Sequence, residues 1–131
     1  MASADAGRGR VRLLASLTLV VSLAALALGE QTLLRLGDPV CSFRAQTGRP
    51  CMGCGGTHAF GRVARGDVAG ALSANPLGAF VGMALWGLAL AGAGSALTGR
   101  SAYLSRALGL VLALAPGALL GNAAWWWKSL G

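Results

Sequence analysis

Three long apolar runs constrain the fold of this chain more than any other feature. They cover residues 13–29, 77–97 and 107–127, and none of them contains Asp, Glu, Lys or Arg. A helix of about 20 apolar residues crosses the hydrocarbon core of a bilayer, and backbone surrounded by lipid must satisfy its own hydrogen bonds. The sequence therefore predicts an all-α membrane protein with three transmembrane helices.

Composition supports the same class and limits the number of domains. Only 11% of the 131 residues are charged, whereas soluble globular domains carry about 25%. A chain of this length has room for one compact domain. We therefore expect a single membrane domain over residues 1–131.

The net charge of +7 raises the question of nucleic acid binding, because basic domains often contact phosphates. The eleven Lys and Arg residues, however, flank the apolar runs and are not gathered on one folded face. Basic residues at the ends of spans are the usual topology signal of membrane proteins. We expect the lipid bilayer as a partner, and no nucleic acid.

The first apolar run is open to two interpretations. Arg8, Arg10 and Arg12 precede it, and it contains Ala-Leu-Ala at residues 25–27, which together form the layout of a secretory signal peptide. The run is longer than the usual hydrophobic region of a signal, and apolar residues continue beyond Glu30. The sequence favours a retained span, with a cleaved signal peptide as the alternative.

The basic residues also indicate an orientation. With a cytoplasmic N-terminus, five of the eleven basic residues lie on that side and six on the other, so the total count gives no preference. The first helix usually dominates the topology, and its three arginines precede it closely. We expect a cytoplasmic N-terminus and place the polar loop after the first span on the outer side.

The polar loop between the first two spans holds the residues capable of chemistry. Its short elements are expected within residues 37–75, with a turn at residues 37–39 and an irregular stretch over residues 42–50. Cys51 and Cys54 follow, separated by two residues. This spacing suits a disulfide, a dithiol redox pair or half of a metal site.

Helix-start signals follow the two cysteines. The run Gly53 to Gly56 does not suit a helix interior, and Thr57 is a good N-cap for a short amphipathic helix. Gly66 can end that helix, and Asp67 can cap a second one. Asn75-Pro76 then combines an N-cap with Pro at the first helical position of the second span. We expect two short interfacial or re-entrant helices that lead into a transmembrane helix.

Two further features concern the second and third spans. Gly78 and Gly82 stand four residues apart in the second span, a spacing that allows close helix contact. Trp125 to Trp127 end the third span and are followed by Lys128. Indole rings prefer the headgroup level and a lysine can reach outward. We interpret the tryptophans as an interfacial anchor.

The order and spacing of the loop residues resemble a family of small bacterial membrane proteins known as domain of unknown function 2752. The family hallmark is Cys-Pro-x-Cys-Gly-x-Thr-Arg, followed by Gly-Asp and then by Asn-Pro before a span. The resemblance covers residues 38–85, with Met52 in place of the Pro and His58 in place of the Arg. It implies the architecture and a bacterial inner-membrane location, and it brings no assigned activity. The matching residues are Gly48, Pro50, Cys51, Gly53, Cys54, Gly55, Thr57, Ala59, Gly66, Asp67, Ala71, Asn75 and Pro76.

Three interpretations of the cysteines remain open. A structural disulfide between two of Cys41, Cys51 and Cys54 leaves one thiol unpaired. A redox pair of Cys51 and Cys54 would lie next to a helix N-terminus, which lowers a thiol pKa, although no thioredoxin-like pattern is present. A zinc site would use all three cysteines and His58, but family members with Arg at this position weaken the case for His58. Haem attachment is excluded because Gly55 stands where it requires His.

No other catalytic constellation is present, because the chain has one His and four dispersed acidic residues. Three spans without internal charge provide no path for ions or protons unless the protein oligomerises. We therefore expect a non-enzymatic accessory or scaffold protein. Its cysteine loop would be held by a disulfide or a metal ion and would contact another membrane protein or a second copy of the chain. The alternatives are a membrane thiol–disulfide redox protein that uses Cys51 and Cys54, and a metal-binding sensor.

Overall fold

The computed structural model describes the backbone of residues 2–36 and 41–131, and the side chains of residues 6–28 and 41–131. The described residues form helices and turns without any strand, which confirms the all-α class. The turn predicted at residues 37–39 lies outside the described residues. The helices are α1 (Ala2–Leu36), α2 (Ser42–Thr47), α3 (Gly56–Ala64), α4 (Val68–Ala74), α5 (Pro76–Thr98) and α6 (Ala102–Leu130).

Three of these helices have the length and apolar composition needed to cross a membrane. The candidate spans are Ala6–Leu28 in α1, Pro76–Thr98 in α5 and Ala102–Leu130 in α6. They contain or closely match the three spans predicted from the sequence, and α1 continues beyond Glu30 to Leu36. The chain is therefore a multi-pass membrane protein by the length and composition of its helices, whereas removal of the first span as a signal peptide stays an open alternative.

The chain divides into two compact units. The first consists of residues 1–25 and 84–113 and is called the apolar unit here. The second consists of residues 26–83 and 114–131 and is called the cysteine unit, because it contains all three cysteines. A single domain over the whole chain stays a prediction.

Close helix contact through small residues characterises the apolar unit. A Cβ added at Gly92 of α5 would lie 2.9 Å from the carbonyl oxygen of Ala15 in α1, so the two backbones approach each other there. Gly99, with a φ of 68°, ends α5 in the left-handed conformation that favours glycine. Large side chains on these helices are exposed, as expected for surfaces that face lipid; Leu90, for example, is 69% exposed.

The short helices α3 and α4 pack together in the cysteine unit, around the small buried side chains of Ala59, Val63, Ala71 and Ala79. In α5, a Cβ added at Gly82 would lie 2.9 Å from the Cβ of Val63. The close contact predicted for the glycine pair of the second span is thus made with a short helix.

Several predicted helix boundaries are confirmed. The Asp67 carboxylate accepts a hydrogen bond of 2.9 Å from the backbone N–H of Gly70 and caps α4. Gly66, with a φ of 84°, follows the end of α3. Asn75 precedes Pro76, and its Oδ1 accepts a hydrogen bond of 2.8 Å from the backbone N–H of Gly78. The second span therefore begins as the Asn-Pro pair predicts.

Two local predictions are wrong. Thr57 does not cap α3, because the helix begins at Gly56 and its N-cap is Gly55 with a φ of 79°. Glycine precedes the expected cap and adopts the required conformation without strain, so the helix starts earlier. Residues 42–50 are not irregular throughout, because Ser42–Thr47 form α2 and Gly48 ends it with a φ of 71°.

Candidate metal and thiol site

Three thiols lie together in the cysteine unit. The Sγ atom of Cys51 is 3.2 Å from the Sγ of Cys41 and also 3.2 Å from the Sγ of Cys54. All three sulfur atoms lie within 4.8 Å of one another, and all three residues are half-buried thiols. Cys51 thus lies at hydrogen-bond distance from each of the other two thiols.

The backbone of the loop forms a tight turn that brings Cys51 and Cys54 together. The N–H of Cys54 donates to the carbonyl oxygen of Cys51 over 3.1 Å, and the N–H of Cys51 donates to the Sγ of Cys54 over 3.1 Å. Gly55 follows with a positive φ, and a Cβ at this position would lie 2.7 Å from the carbonyl oxygen of Ala74. Glycine is therefore required here by both conformation and space.

Cys41 reaches the site from another part of the chain. It precedes α2, and its carbonyl oxygen accepts a hydrogen bond of 2.9 Å from the N–H of Ala45. Gly48 closes this short helix, and the chain then continues through Pro50 to Cys51. The helix thus occupies most of the ten-residue separation and returns the backbone toward its starting point, which allows Cys41 to meet the Cys51–Cys54 turn.

Two buried asparagines contact the same loop. Asn75 and Asn122 are each only 1% exposed. The Nδ2 of Asn75 donates to the carbonyl oxygens of Met52 at 3.0 Å and Cys54 at 3.1 Å. The Nδ2 of Asn122 donates to the same Met52 carbonyl at 3.0 Å, and its Oδ1 accepts from the N–H of Leu77 at 3.4 Å.

Tryptophans at the end of α6 add two further hydrogen bonds. The Nε1 of Trp126 donates to the carbonyl oxygen of Pro50 at 2.8 Å, one residue before Cys51. The Nε1 of Trp125 donates to the carbonyl oxygen of Ser73 at 3.2 Å. Trp127 is 74% exposed. Two of the three indoles thus bind the backbone of the cysteine unit, which is more than the interfacial anchor predicted from the sequence.

The thiols of Cys41 and Cys54 differ in acidity. Hydrogen bonding with the backbone at Arg44, followed by the hydrogen bond with Cys51, lowers the pKa of Cys41 to about 7. Burial, followed by the hydrogen bond with Cys51, raises the pKa of Cys54 to about 11. In the metal-free protein at neutral pH, Cys41 is therefore partly ionised to the thiolate, and Cys54 is protonated.

The donor set fits a thiophilic metal ion. Zinc binds thiolate sulfur at about 2.3 Å in tetrahedral geometry, which places two sulfur ligands about 3.8 Å apart. The sulfur separations in the group, from 3.2 Å to at most 4.8 Å, bracket this value. Three thiolates would occupy three positions and leave one open for a further ligand.

The fourth residue of the predicted zinc site is not part of this group. His58 is an exposed residue of α3, and the group of potential ligands among the described residues contains the three cysteines alone. A role for His58 as ligand stays a prediction. The Asp67 carboxylate caps α4 and lies 4.0 Å from the Arg62 guanidinium. It is therefore explained by the start of the helix.

Asn122 is the functional candidate that the sequence analysis missed. It stands alone as a strongly polar side chain within the apolar run at residues 107–127. A carboxamide in hydrocarbon is costly unless it finds partners, and such residues in spans mark functional or packing positions. This signal was present in the sequence. Its partner, the Met52 carbonyl oxygen 70 residues away, carries no side-chain signature and required the structure.

The helices and the site define a class: a helical membrane protein with a three-thiol group in a short segment between spans. Residues 41–89 match the model of the family described as Protein of unknown function (DUF2752). The matched segment includes all three cysteines and the start of α5, and the match agrees with the resemblance predicted from the loop residues. No curated protein and no solved structure matched the chain.

Proposed function

We propose that this protein is a non-enzymatic accessory or scaffold protein of the membrane, in which a zinc ion bound by Cys41, Cys51 and Cys54 holds the cysteine loop. The proximity of the three sulfur atoms, all within 4.8 Å of one another, carries this proposal. Thiolate sulfur is a preferred zinc ligand, and three sulfurs at this spacing can bind one ion.

A metal ion at this position would act as a cross-link. Cys41 lies at the start of α2, whereas Cys51 and Cys54 belong to the turn before α3. Bonds from one ion to all three sulfurs would hold the start of α2 next to the turn before α3. Structural zinc sites contribute directly to folding free energy, and the cysteine unit has a small core composed mainly of alanines, so it would gain from such a link.

The loop also offers apolar surface to a partner. Phe43 and Met52 lie next to the cysteines in sequence and are each 45% exposed. Side chains of this kind at a folded loop can pack against another membrane protein or against a second copy of the chain. In this proposal the ion keeps the loop in shape, and the exposed side chains make the contact.

Metal analysis of the purified protein tests the proposal. The protein would be purified in detergent from cells grown without added metal, and bound zinc, copper and iron would be quantified by mass spectrometry. We expect about one zinc per chain, and loss of the metal in Cys51→Ser and Cys54→Ser. A wild-type protein that holds no metal, and takes up none when zinc is supplied to the reduced form, contradicts it. His58→Ala separates a three-cysteine site from a four-ligand site.

A thiol–disulfide redox protein is the second candidate, and the short distances between the sulfur of Cys51 and those of Cys41 and Cys54 favour it. With 3.2 Å from Cys51 to either neighbour, one S–S bond can form with Cys41 or with Cys54. Formation of that bond releases two protons and transfers two electrons to an oxidant such as a quinone or the disulfide of a partner protein. Under this function, Cys51→Ser removes both of these pairs, whereas Cys41→Ser leaves the Cys51–Cys54 pair competent.

The proposed location is the inner membrane of a bacterium, with the N-terminus in the cytoplasm and the cysteine loop outside. The three arginines that precede the first span support this orientation. A membrane-impermeant maleimide applied to intact cells after reduction tests it. Labelling of the cysteines without permeabilisation is the expected result, and labelling that requires permeabilisation reverses the orientation.

A further inference from the structure

The least expected feature of the cysteine unit is that two buried carboxamides converge on one backbone carbonyl. Asn75 stands at the start of α5 and Asn122 lies in α6, and both donate from Nδ2 to the carbonyl oxygen of Met52. Asn75 donates in addition to the carbonyl oxygen of Cys54. Asn75 and Asn122 are the two largest fully buried side chains described.

The two acceptors belong to the turn that carries the thiols. Met52 lies between Cys51 and Cys54, and the second acceptor is the carbonyl of Cys54 itself. A carbonyl oxygen has two lone pairs, and both of those on Met52 can be used by the two amides. Buried polar groups that satisfy each other in this way fix one conformation, because any displacement leaves several of them unpaired in a poorly hydrated environment.

We propose that Asn75 and Asn122 are positioning residues for the three-thiol site. They hold the peptide groups at Met52 and Cys54 and thereby set the separation of the Cys51 and Cys54 sulfurs. The hydrogen bonds described for the two side chains all join them to backbone atoms, so each acts through the backbone. The inference rests on the proposed metal site where it concerns metal affinity, and it applies equally to the thiols without metal.

Asn75 has two functions that a single substitution can separate. Its Oδ1 caps α5 by accepting from the N–H of Gly78, while its Nδ2 holds the loop. Aspartate keeps the oxygen acceptor and is an equally good N-cap, but its side chain as a carboxylate donates no hydrogen bond. Asn75→Asp therefore retains the helix start and removes the two bonds to the loop.

The experiment compares wild type, Asn75→Asp and Asn122→Asp in detergent, with Asp67→Asn as the matched control. The control exchanges a carboxylate and an amide at the N-cap of α4, where the side chain accepts from Gly70. Two quantities would be measured. The first is the zinc affinity, by competition with a chromogenic chelator. The second is the ratio of disulfide to dithiol form that the metal-free protein reaches in a buffer of reduced and oxidised glutathione. Circular dichroism and size exclusion would verify the fold of each variant.

We expect both substitutions at the asparagines to weaken zinc binding about 10- to 100-fold, the range seen when groups that orient metal ligands are removed. The disulfide equilibrium should shift at least about tenfold toward the thiols, because the sulfurs are no longer held together. Asp67→Asn should match wild type in both measurements. If Asn75→Asp or Asn122→Asp fails to fold, Asn75→Ser provides a shorter cap that cannot bridge both carbonyls.

The outcomes separate this inference from the proposed function. Folded asparagine variants with wild-type zinc affinity and a wild-type disulfide equilibrium overturn the positioning role and leave the metal site intact. A wild-type protein that binds no zinc overturns the metal site, and the disulfide equilibrium of the same variants then decides the positioning role by itself.

Discussion

The apolar unit and the cysteine unit differ in how their buried polar side chains are hydrogen-bonded. In the apolar unit, the Ser95 hydroxyl is fully buried and has no hydrogen-bond partner among the described residues. In the cysteine unit, Asn75 and Asn122 are equally buried, and each makes hydrogen bonds to more than one backbone group. A hydroxyl without a partner adds nothing to specificity, whereas a satisfied amide selects one backbone arrangement.

The difference indicates which unit depends on a defined geometry. Helices of the apolar unit need length, apolar surface and small residues at their contacts, and many sequences meet these requirements. The cysteine unit needs particular atoms at particular distances. Substitutions that are mild in the first unit should therefore be severe in the second, and the predictions on two glycines and on two buried polar groups test that contrast.

The largest expected effect concerns thiol reactivity within the cysteine unit. At pH 7, a pKa of about 7 leaves Cys41 about half ionised, whereas a pKa of about 11 leaves about one in ten thousand Cys54 side chains ionised. Because a more acidic thiolate is intrinsically less nucleophilic, the rate difference is smaller, about a hundredfold. Alkylation of the reduced, metal-free protein with iodoacetamide, mapped by mass spectrometry, measures it.

The pH dependence of the same reaction has a defined sign. A lowered pKa means that the Cys41 rate rises to a plateau above about pH 8, since this thiol is already mostly ionised there. A raised pKa means that the Cys54 rate continues to increase about tenfold per pH unit up to pH 10. Equal rates for the two thiols at pH 7 would show that the site does not distinguish them.

The second prediction compares two glycines in α5. A Cβ at Gly78 would lie 2.7 Å from the Cα of Gly56 and closer to its carbonyl oxygen, whereas no atom of the described residues lies within 4 Å of a Cβ at Gly87. Backbone atoms cannot move aside as a flexible side chain can, so Gly78→Ala should destabilise the protein by about 3 kcal/mol. Gly87→Ala should be neutral or stabilising by up to about 1 kcal/mol. Unfolding in mixed micelles, followed by circular dichroism, measures both, and similar values for the two variants would break the comparison.

Much of the architecture was predictable from the sequence, because its signals are local. The three spans follow from apolar length, and Asp67 and the Asn75-Pro76 pair mark helix starts by their own chemistry. The predicted start of α3 was too late, because both Gly55 and Thr57 could serve as its N-cap. Gly55 takes that position, since glycine adopts a positive φ without strain. The thiol pair was visible from its spacing, while the approach of Cys41 depends on α2, a six-residue helix without a clear pattern.

The third prediction contrasts a satisfied and an unsatisfied buried polar group. Asn122→Leu preserves the approximate volume but removes a donor from the Met52 carbonyl and an acceptor from the Leu77 N–H. The Leu77 N–H is left unpaired and the Met52 carbonyl keeps Asn75 as a donor, so the loss should cost about 2 kcal/mol. Ser95→Ala removes a hydroxyl that has no partner in the described part of the chain, and it should be neutral or slightly stabilising. Equilibrium unfolding of the two variants measures the contrast, which disappears if Ser95→Ala is the more damaging change.

The smallest expected effect is a difference in unfolding free energy between substitutions at two adjacent tryptophans, which the sequence alone does not distinguish. Trp126→Phe keeps an aromatic ring and removes the Nε1–H that donates to the Pro50 carbonyl at 2.8 Å. Loss of this half-buried bond should destabilise the protein by about 1 kcal/mol. Trp127→Phe removes an indole that is 74% exposed, and it should change the unfolding free energy by a few tenths of a kcal/mol at most. If both substitutions cost the same, the tryptophans act as membrane anchors alone, and the hydrogen bond between α6 and the cysteine loop contributes nothing measurable to the cysteine unit.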